Sequence, residues 1–489
     1  MQTICTQNRI ESKLSALLLA YVHFLLYLCH MFKLLLILSI LTTHPNTKDA
    51  NIGVLICDYQ TGDTIEAYRA DAVIPPASTI KLLTTATILE IWGADYRIET
   101  PIRYSGYIKD STLHGNLYIE GKGDPTLGSR YIGDQAFLQK WTEEVRKAGI
   151  CSIAGDVVAD ASYFDLTATN PAWLWEDIGN YYAPGIAALA YMDNTMTYTL
   201  ESGVYGSKAK VISTYPEAKD MLYDSYVQCA NINYDGAYVH GVAFNNYRYL
   251  TGKIPSNRGS FSVRGDLPNP PLALASDFVK TLTDSGIRVA GKADFIREKG
   301  QTNNARKTLF VHYSETLGEI IRHTNHKSDN LYAEMLFRVL AYRKGIPCTI
   351  KHSTAFIKEY WERKGLDLSN ARILDGCGLA PQDAVSSAML VDLLQYMYES
   401  KHKDAFVASL PCSGESGTLK SFLKNTELHG KVCAKSGTIG GTKNFAGYIY
   451  LPDGRVWVFA IMVNSASCKA SRIQSIIEEY LLDVYTRNT

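Results

Sequence analysis

The sequence predicts an α/β protein of the α+β type, in which an antiparallel sheet is flanked by helices and interrupted by a large, mainly β insertion. Three observations carry this expectation. Alternating strand patterns at 51–69 run directly into an apolar helical run that ends near Gly93. From about residue 94 to 287 the texture changes to short alternating segments punctuated by Gly, Asp and Asn. Helical periodicity then returns, and the C-terminal part reads as three strands with a covering helix. The implied organisation is 1–50 as a targeting or anchoring segment, 51–95 as the first part of the main domain, 96–287 as the insertion, and 288–489 as the second part.

Residues 14–41 are almost continuously apolar, broken by His23, His30 and Lys33 and preceded by Arg9 and Lys13. That pattern is an export signal or an N-terminal membrane anchor, and no small-x-small cleavage site stands out to decide between them. The expected location is outside the cytoplasm, in the periplasm or cell envelope. In the hairpin, Ile52, Val54 and Ile56 alternate, Gln60-Thr61-Gly62-Asp63 turns, and 64–68 returns. Pro75 and Pro76 stop this segment from being helical. Ile80, Leu82, Leu83, Ala86 and Leu89 then recur at helical spacing, which predicts a central, buried helix. Inside the insertion, 181–249 reads as a second, nested one. Later helices are expected at 272–285, 317–323, 331–343, 356–364 and 388–400. Strands at 431–436, 443–450 and 455–463 follow, and a helix at 472–485 turns Ile473, Ile476, Ile477, Tyr480, Leu481 and Val484 to one side.

Lys plus Arg and Asp plus Glu both total 49, so no charge excess points to a nucleic-acid partner. The 10 cysteines show no Cys-x-x-Cys pair and no zinc-ligand spacing, and His323 and His326 lack a third ligand nearby. Neither a metal nor a cofactor is implied. Cys377, Cys412 and Cys433 read as small buried packing residues, with no bridge assigned.

Ser78 and Lys81 lie one helical turn apart, so hydroxyl and amine share a face. A serine needs a base to become nucleophilic, and a lysine serves only where burial or nearby positive charge favours its neutral form. Ser-x-x-Lys alone is weak, because it also occurs at Ser207/Lys210, Ser400/Lys403 and Ser421/Lys424. What distinguishes the first copy is its company: Ser328-Asp329-Asn330 and Lys435-Ser436-Gly437 follow it in order. Taken singly, the former reads as a helix cap and the latter as a strand end. Together, the three elements are the motif set of serine β-lactamases and penicillin-binding proteins. With the stretches 117–127, 375–379 and 414–419, the chain resembles the D-alanyl-D-alanine carboxypeptidase/endopeptidase family of class C low-molecular-mass penicillin-binding proteins, of the penicillin-binding protein 4 type. The resemblance runs from about residue 51 to the C-terminus.

The resemblance implies a serine β-lactamase/DD-peptidase (transpeptidase-like) domain that acts on peptidoglycan stem peptides and is acylated by β-lactams. Ser78 is then the nucleophile and Lys81 its base. Ser328 passes a proton to the leaving amine, and Asn330 holds the substrate amide. Lys435 attracts the terminal carboxylate and makes a neutral Lys81 less costly, while Ser436 and Thr438 add hydroxyl contacts. The oxyanion is expected between the N–H groups of Ser78 and Thr438. Gly437 is expected to be glycine so that substrate can approach the strand. Ser436 stands where threonine is commoner in the family, and Cys377 and Ala380 replace serines frequent there. Asp124 and Asp160, in the insertion, are candidates to take the free amine of a diamino acid, although an aspartate beside Gly and Pro reads first as a turn residue. Two other functions fit the same motifs: a β-lactamase or esterase, against which the long insertion argues, and a silent cell-wall binding protein, against which the complete motif set argues.

Overall fold

The computed structural model describes residues 40–218, 220–300, 305–344 and 348–489. Most of the apolar segment expected to be a signal or anchor lies outside them. Among the described residues no helix is long and apolar enough to cross a membrane.

Both ends of the chain build one sheet. Its order is Val432–Ile439, Thr442–Tyr450, Val456–Asn464, Asn51–Asp58, Thr64–Tyr68, and every pairing is antiparallel. Strand parity sorts the side chains onto two faces. Trp457, Phe459, Ile461 and Val463 face the C-terminal helix Ala470–Asn488 and meet Ile473, Ile476, Ile477 and Tyr480. Val456, Val458, Ala460 and Met462 face the other way, into a helical layer. The helix Lys81–Trp92 runs through that layer with every residue from Lys81 to Leu89 buried. Apolar residues on all its sides fit a helix enclosed by others rather than one lying on a surface. Its threonines satisfy their hydroxyls locally, as Thr85 Oγ1 donates to the Lys81 carbonyl at 2.7 Å and Thr84 Oγ1 to that of Gly376 at 2.8 Å. Around it pack Leu317–Lys327, Asn330–Val339, Ile350–Glu362 and Ser387–Glu399.

The insertion has its own core, in which Ile119, Trp141, Val157 and Phe278 meet. Its return point differs from the expected residue 288. Arg288–Val289 pairs with Ser152–Ile153, Ala293–Ile296 with Val157–Asp160, and Arg306–Thr316 with Arg97–Ser105. The insertion's strands therefore run from Arg97 to Thr316. The helix Pro270–Asp284, which falls inside the expected bounds of the insertion, packs Leu274, Phe278 and Leu282 into the insertion's core. Within the insertion, strands between Thr195 and Asp266 form two further small sheets, so the nested part extends past residue 249. A buried ion pair joins them: Arg248 Nε and Nη2 donate to Asp266 at 2.7 and 2.8 Å.

Candidate active site

Ser78 sits in a tight turn, Ala77–Ile80, that leads into the helix Lys81–Trp92. The turn is unusual, because Ala77 has φ +46°, a left-handed conformation that costs a residue with a side chain about 1 kcal/mol or more. Neighbours hold it there. Asn444 Nδ2 donates to the carbonyls of Pro75 and Pro76, both at 2.9 Å. Two glycines make room: a Cβ on Gly437 would lie 2.6 Å from the Pro76 carbonyl oxygen, and one on Gly378 would lie 1.9 Å from that of Ala77. Gly437 thus leaves room for the turn that carries Ser78, a reason for glycine in addition to the expected approach of substrate.

The second motif lies between helices, as expected. Ser328 ends Leu317–Lys327 in the left-handed conformation, φ +58°, and Asp329 caps Asn330–Val339 by accepting from Tyr332 N at 3.2 Å. This reversal aims Ser328 and Asn330 at two different lysines. Lys81 Nζ reaches Ser78 Oγ at 2.9 Å, Asn330 Oδ1 at 2.7 Å and the Cys377 carbonyl at 2.5 Å. Lys435 Nζ reaches Ser328 Oγ at 2.9 Å and the Ser436 carbonyl at 2.6 Å. Asn330 also donates through Nδ2 to the Tyr182 carbonyl at 2.8 Å. Ser436 Oγ donates to Thr418 Oγ1 at 2.8 Å, and the exposed Thr438 accepts from Lys443 at 3.1 Å. The three sequence motifs therefore meet in one place.

Both lysines are fully buried. Burial pulls the Lys81 amine down from its ordinary value, opposed by Cys377, Asp375, Asp329 and Glu334. Lys435 is pulled well down, first by burial, then by the charges of Lys81 and Lys443. Desolvation thus comes ahead of the expected lysine–lysine repulsion, which is felt at Lys435. The result is what a serine needs, an amine beside the hydroxyl that gives up its proton more readily than a solvated lysine.

The strand Val432–Ile439 is at the sheet's edge, with the segment around Cys412 paired to the outer side of its first residues, so only the part from Lys435 onward has no strand beside it among the described residues. A disulfide, Cys412–Cys433, ties this strand to the segment that carries Thr418. That corrects the expectation that these cysteines merely pack. Ala434 N to Pro411 O at 3.0 Å and Ser413 N to Val432 O at 2.8 Å align the two backbones beside the bridge. Asp124 is buried and accepts from the N–H and hydroxyl of Thr126 at 2.8 and 2.7 Å, a turn-forming role; burial pushes its carboxyl up to about 6. Asp160 lines a pocket of about 290 Å³ with Glu120, Lys122, Ser162, Tyr163 and Tyr342, but its carboxylate is already held by Arg306 at 2.6 Å. Asp124 is thus engaged through Oδ1 alone, and Asp160 through Arg306 and the Ser162 N–H.

Sequence reading missed Asn444 and the carbonyls of Cys377 and Tyr182. An asparagine followed by the apolar run Phe445-Ala446 in a strand was the available signal for the first, since a fully buried amide must find partners. Main-chain acceptors leave no mark in residue identity.

A serine hydroxyl 2.9 Å from a buried lysine amine, set between an all-antiparallel sheet and a helical cluster, is an arrangement suited to acyl transfer on the DD-peptidase and serine β-lactamase fold. The sequence profile of the D-Ala-D-Ala carboxypeptidase 3 (S13) family matches residues 36–482. The chain is 27% identical over 434 residues to the D-alanyl-D-alanine carboxypeptidase of Actinomadura sp. (strain R39), covering 86% of this chain and 79% of that one. It is 25% identical over 434 residues to the D-alanyl-D-alanine carboxypeptidase DacB of Haemophilus influenzae, covering 87% of this chain and 88% of that one. The crystal structure of penicillin binding protein 4 from Haemophilus influenzae shares the fold, with a TM-score of 0.78 at 23% identity over 92% of this chain and 98% of that one; a β-lactam complex of that protein gives 0.73. The chain belongs to the D-Ala-D-Ala carboxypeptidase (S13) family. It is a serine-type DD-carboxypeptidase, a hydrolase of the penicillin-binding class.

Proposed function

We propose that Ser78 is the nucleophile and Lys81 the general base of this carboxypeptidase, acting on peptidoglycan stem peptides ending in D-alanyl-D-alanine. The 2.9 Å contact between Lys81 Nζ and Ser78 Oγ, with Lys81 fully buried, carries this reading. Ser78 Oγ attacks the carbonyl of the penultimate D-alanine while its proton passes to the neutral Lys81 amine. The oxyanion accepts from the N–H groups of Ser78 and Thr438, each such donor being worth about 3 kcal/mol of barrier. Collapse breaks the peptide bond, and the departing amine takes a proton from Ser328, whose hydroxyl is resupplied with the one that Lys81 received, so that Lys81 is neutral again. Asn330 holds the substrate amide. Lys435, with the hydroxyls of Ser436 and Thr438, receives the terminal carboxylate, and Gly437 lets the nucleophile turn sit against the strand. Water, deprotonated by Lys81, then releases the acyl group. A β-lactam forms the same ester with Ser78, but its opened ring keeps the leaving amine tethered. Cleavage of D-alanyl cross-links by the same chemistry, and export to the periplasm or cell envelope with the N-terminal segment against the membrane, belong to this reading.

The test is release of D-alanine from a synthetic stem peptide, quantified by chromatography. Wild-type protein should release it and Ser78→Ala should not; equal release by both would contradict the assignment.

A further inference from the structure

The catalytic lysine is gripped through two routes that both begin in one short stretch of the insertion. One is direct: the Tyr182 carbonyl accepts from Asn330 Nδ2 at 2.8 Å, and Asn330 Oδ1 accepts from Lys81 Nζ at 2.7 Å. The other passes through Asp375. Trp173 Nε1 donates to Asp375 Oδ2 at 2.9 Å, and the N–H groups of Leu379 and Ala380 donate to the same oxygen at 2.9 and 2.8 Å. Asp375 Oδ1 accepts from Cys377 N at 3.0 Å and Gly378 N at 2.5 Å. A carboxylate receiving so many donors fixes the loop 376–380 around itself. That loop touches both reacting groups, because the Cys377 carbonyl accepts from Lys81 Nζ at 2.5 Å and Gly378 abuts the Ala77 carbonyl beside Ser78. Asn170 Nδ2 adds a third tie, to the Leu374 carbonyl at 2.9 Å. Trp173, Asn170 and Asp375 are all buried.

We propose that residues 170–182 of the insertion act as a strap that positions the general base, with Trp173 and Asp375 as positioning residues working through the Cys377 carbonyl. The proposal rests on Lys81 being the base. It gives the insertion a role in the reaction besides any in substrate choice, and it accounts for a buried carboxylate that touches no reacting atom.

The readout is the rate of Ser78 acylation by a penicillin as a function of pH, with the thermal midpoint measured alongside. Lys81 is faced by Asp375 and Cys377 from the loop, Glu334 from the helix Asn330–Val339, Asp329 from the turn, and Lys435 from the edge strand. Asp375→Asn removes a negative charge and disturbs the loop. Its maximal acylation rate should fall about tenfold or more, and the acidic limb of the profile should move to lower pH, since the ammonium form has lost both an opposing charge and a well-placed acceptor. Trp173→Phe keeps most of the ring and removes only the N–H donor; a loss of about threefold with a smaller shift in the same direction is expected, and this variant decides the matter if Asp375→Asn does not fold. Trp175→Phe, at a 59% exposed position in the same stretch, should match wild type. Acylation of Trp173→Phe with wild-type rate and limb position, or losses that only follow a lowered thermal midpoint, would overturn the proposal. Wild-type protein that takes up no penicillin at Ser78 would remove the assignment of the base and the proposal together.

Discussion

Two of the buried sites that carry ionisable side chains treat them oppositely. In the insertion, Arg248 and Asp266 are 0% and 1% exposed and pair through two parallel hydrogen bonds, while Arg248 Nη1 donates to the carbonyls of Asn245 and Tyr247 at 2.8 Å. Charge meets charge, and the guanidinium has no alternative protonation state within reach. In the catalytic layer, Lys81 and Lys435 are equally buried but contact only hydroxyls, an amide and carbonyls. Neutral acceptors hold an amine in place without locking its proton on. Burial therefore becomes rigidity in the first case and reactivity in the second.

The largest effect should come from the reactive pair. Lys81→Met, which preserves length without a titratable group, is expected to slow penicillin acylation by about 10²- to 10⁴-fold with little change in thermal midpoint; rapid acylation would mean another group is the base. Asp266→Ala tests the rigid pair by stranding a buried guanidinium. Unfolding in urea should show a loss of about 3–5 kcal/mol, while folded protein keeps near wild-type acylation. A third, smaller effect concerns the bridge under the third-motif strand. Cys412 and Cys433 are 21 residues apart, and replacing both with alanine should cost about 3 kcal/mol by the chain-entropy relation, read from the same urea transition.

The subtlest test separates the acids near Lys81 from the lysine itself. Burial, then Asp375, raises the Glu334 carboxyl from its ordinary 4.5 to about 8. Between those values the native protein holds a proton that the unfolded chain has released. The stabilisation is therefore complete below the unfolded value and is lost as pH rises through about 8. Glu334→Gln keeps a neutral acceptor for Gly376 N–H. Its thermal midpoint should fall less than that of wild type between about pH 5 and about pH 8; parallel curves would show that Glu334 does not titrate there.

Residue identity revealed the parts of the site where chemistry demands a side chain. A hydroxyl and an amine one turn apart, and a second lysine downstream, were legible because their residue types and spacing are written in the sequence. The terminal strands sharing a sheet with Asn51–Asp58 were legible too, from alternation and from the need of the first and third motifs to meet. Contacts created by register were not. Asn444 is opposite Gly437 across the edge pairing, and only that placement directs its amide to the nucleophile turn. The Cys412–Cys433 bridge likewise depends on an isolated backbone pairing between distant segments. The insertion extends past residue 287 because Arg288–Val289, Ala293–Ile296 and Arg306–Thr316 pair with strands far earlier in the chain, a partnership that alternation alone does not reveal. The Pro76 carbonyl beside Gly437 was not legible, since a glycine announces a close approach without naming what approaches.

The most direct test of the central claim is the intact mass of the protein, without residues 1–39, after exposure to a penicillin, with Ser78→Ala and Lys81→Met beside it. Wild type should gain the mass of one drug molecule on a peptide containing Ser78; Ser78→Ala should gain nothing, and Lys81→Met should gain it only over a far longer exposure. An adduct that persists in Ser78→Ala, or drug consumed quickly with no adduct on wild type, would contradict the account.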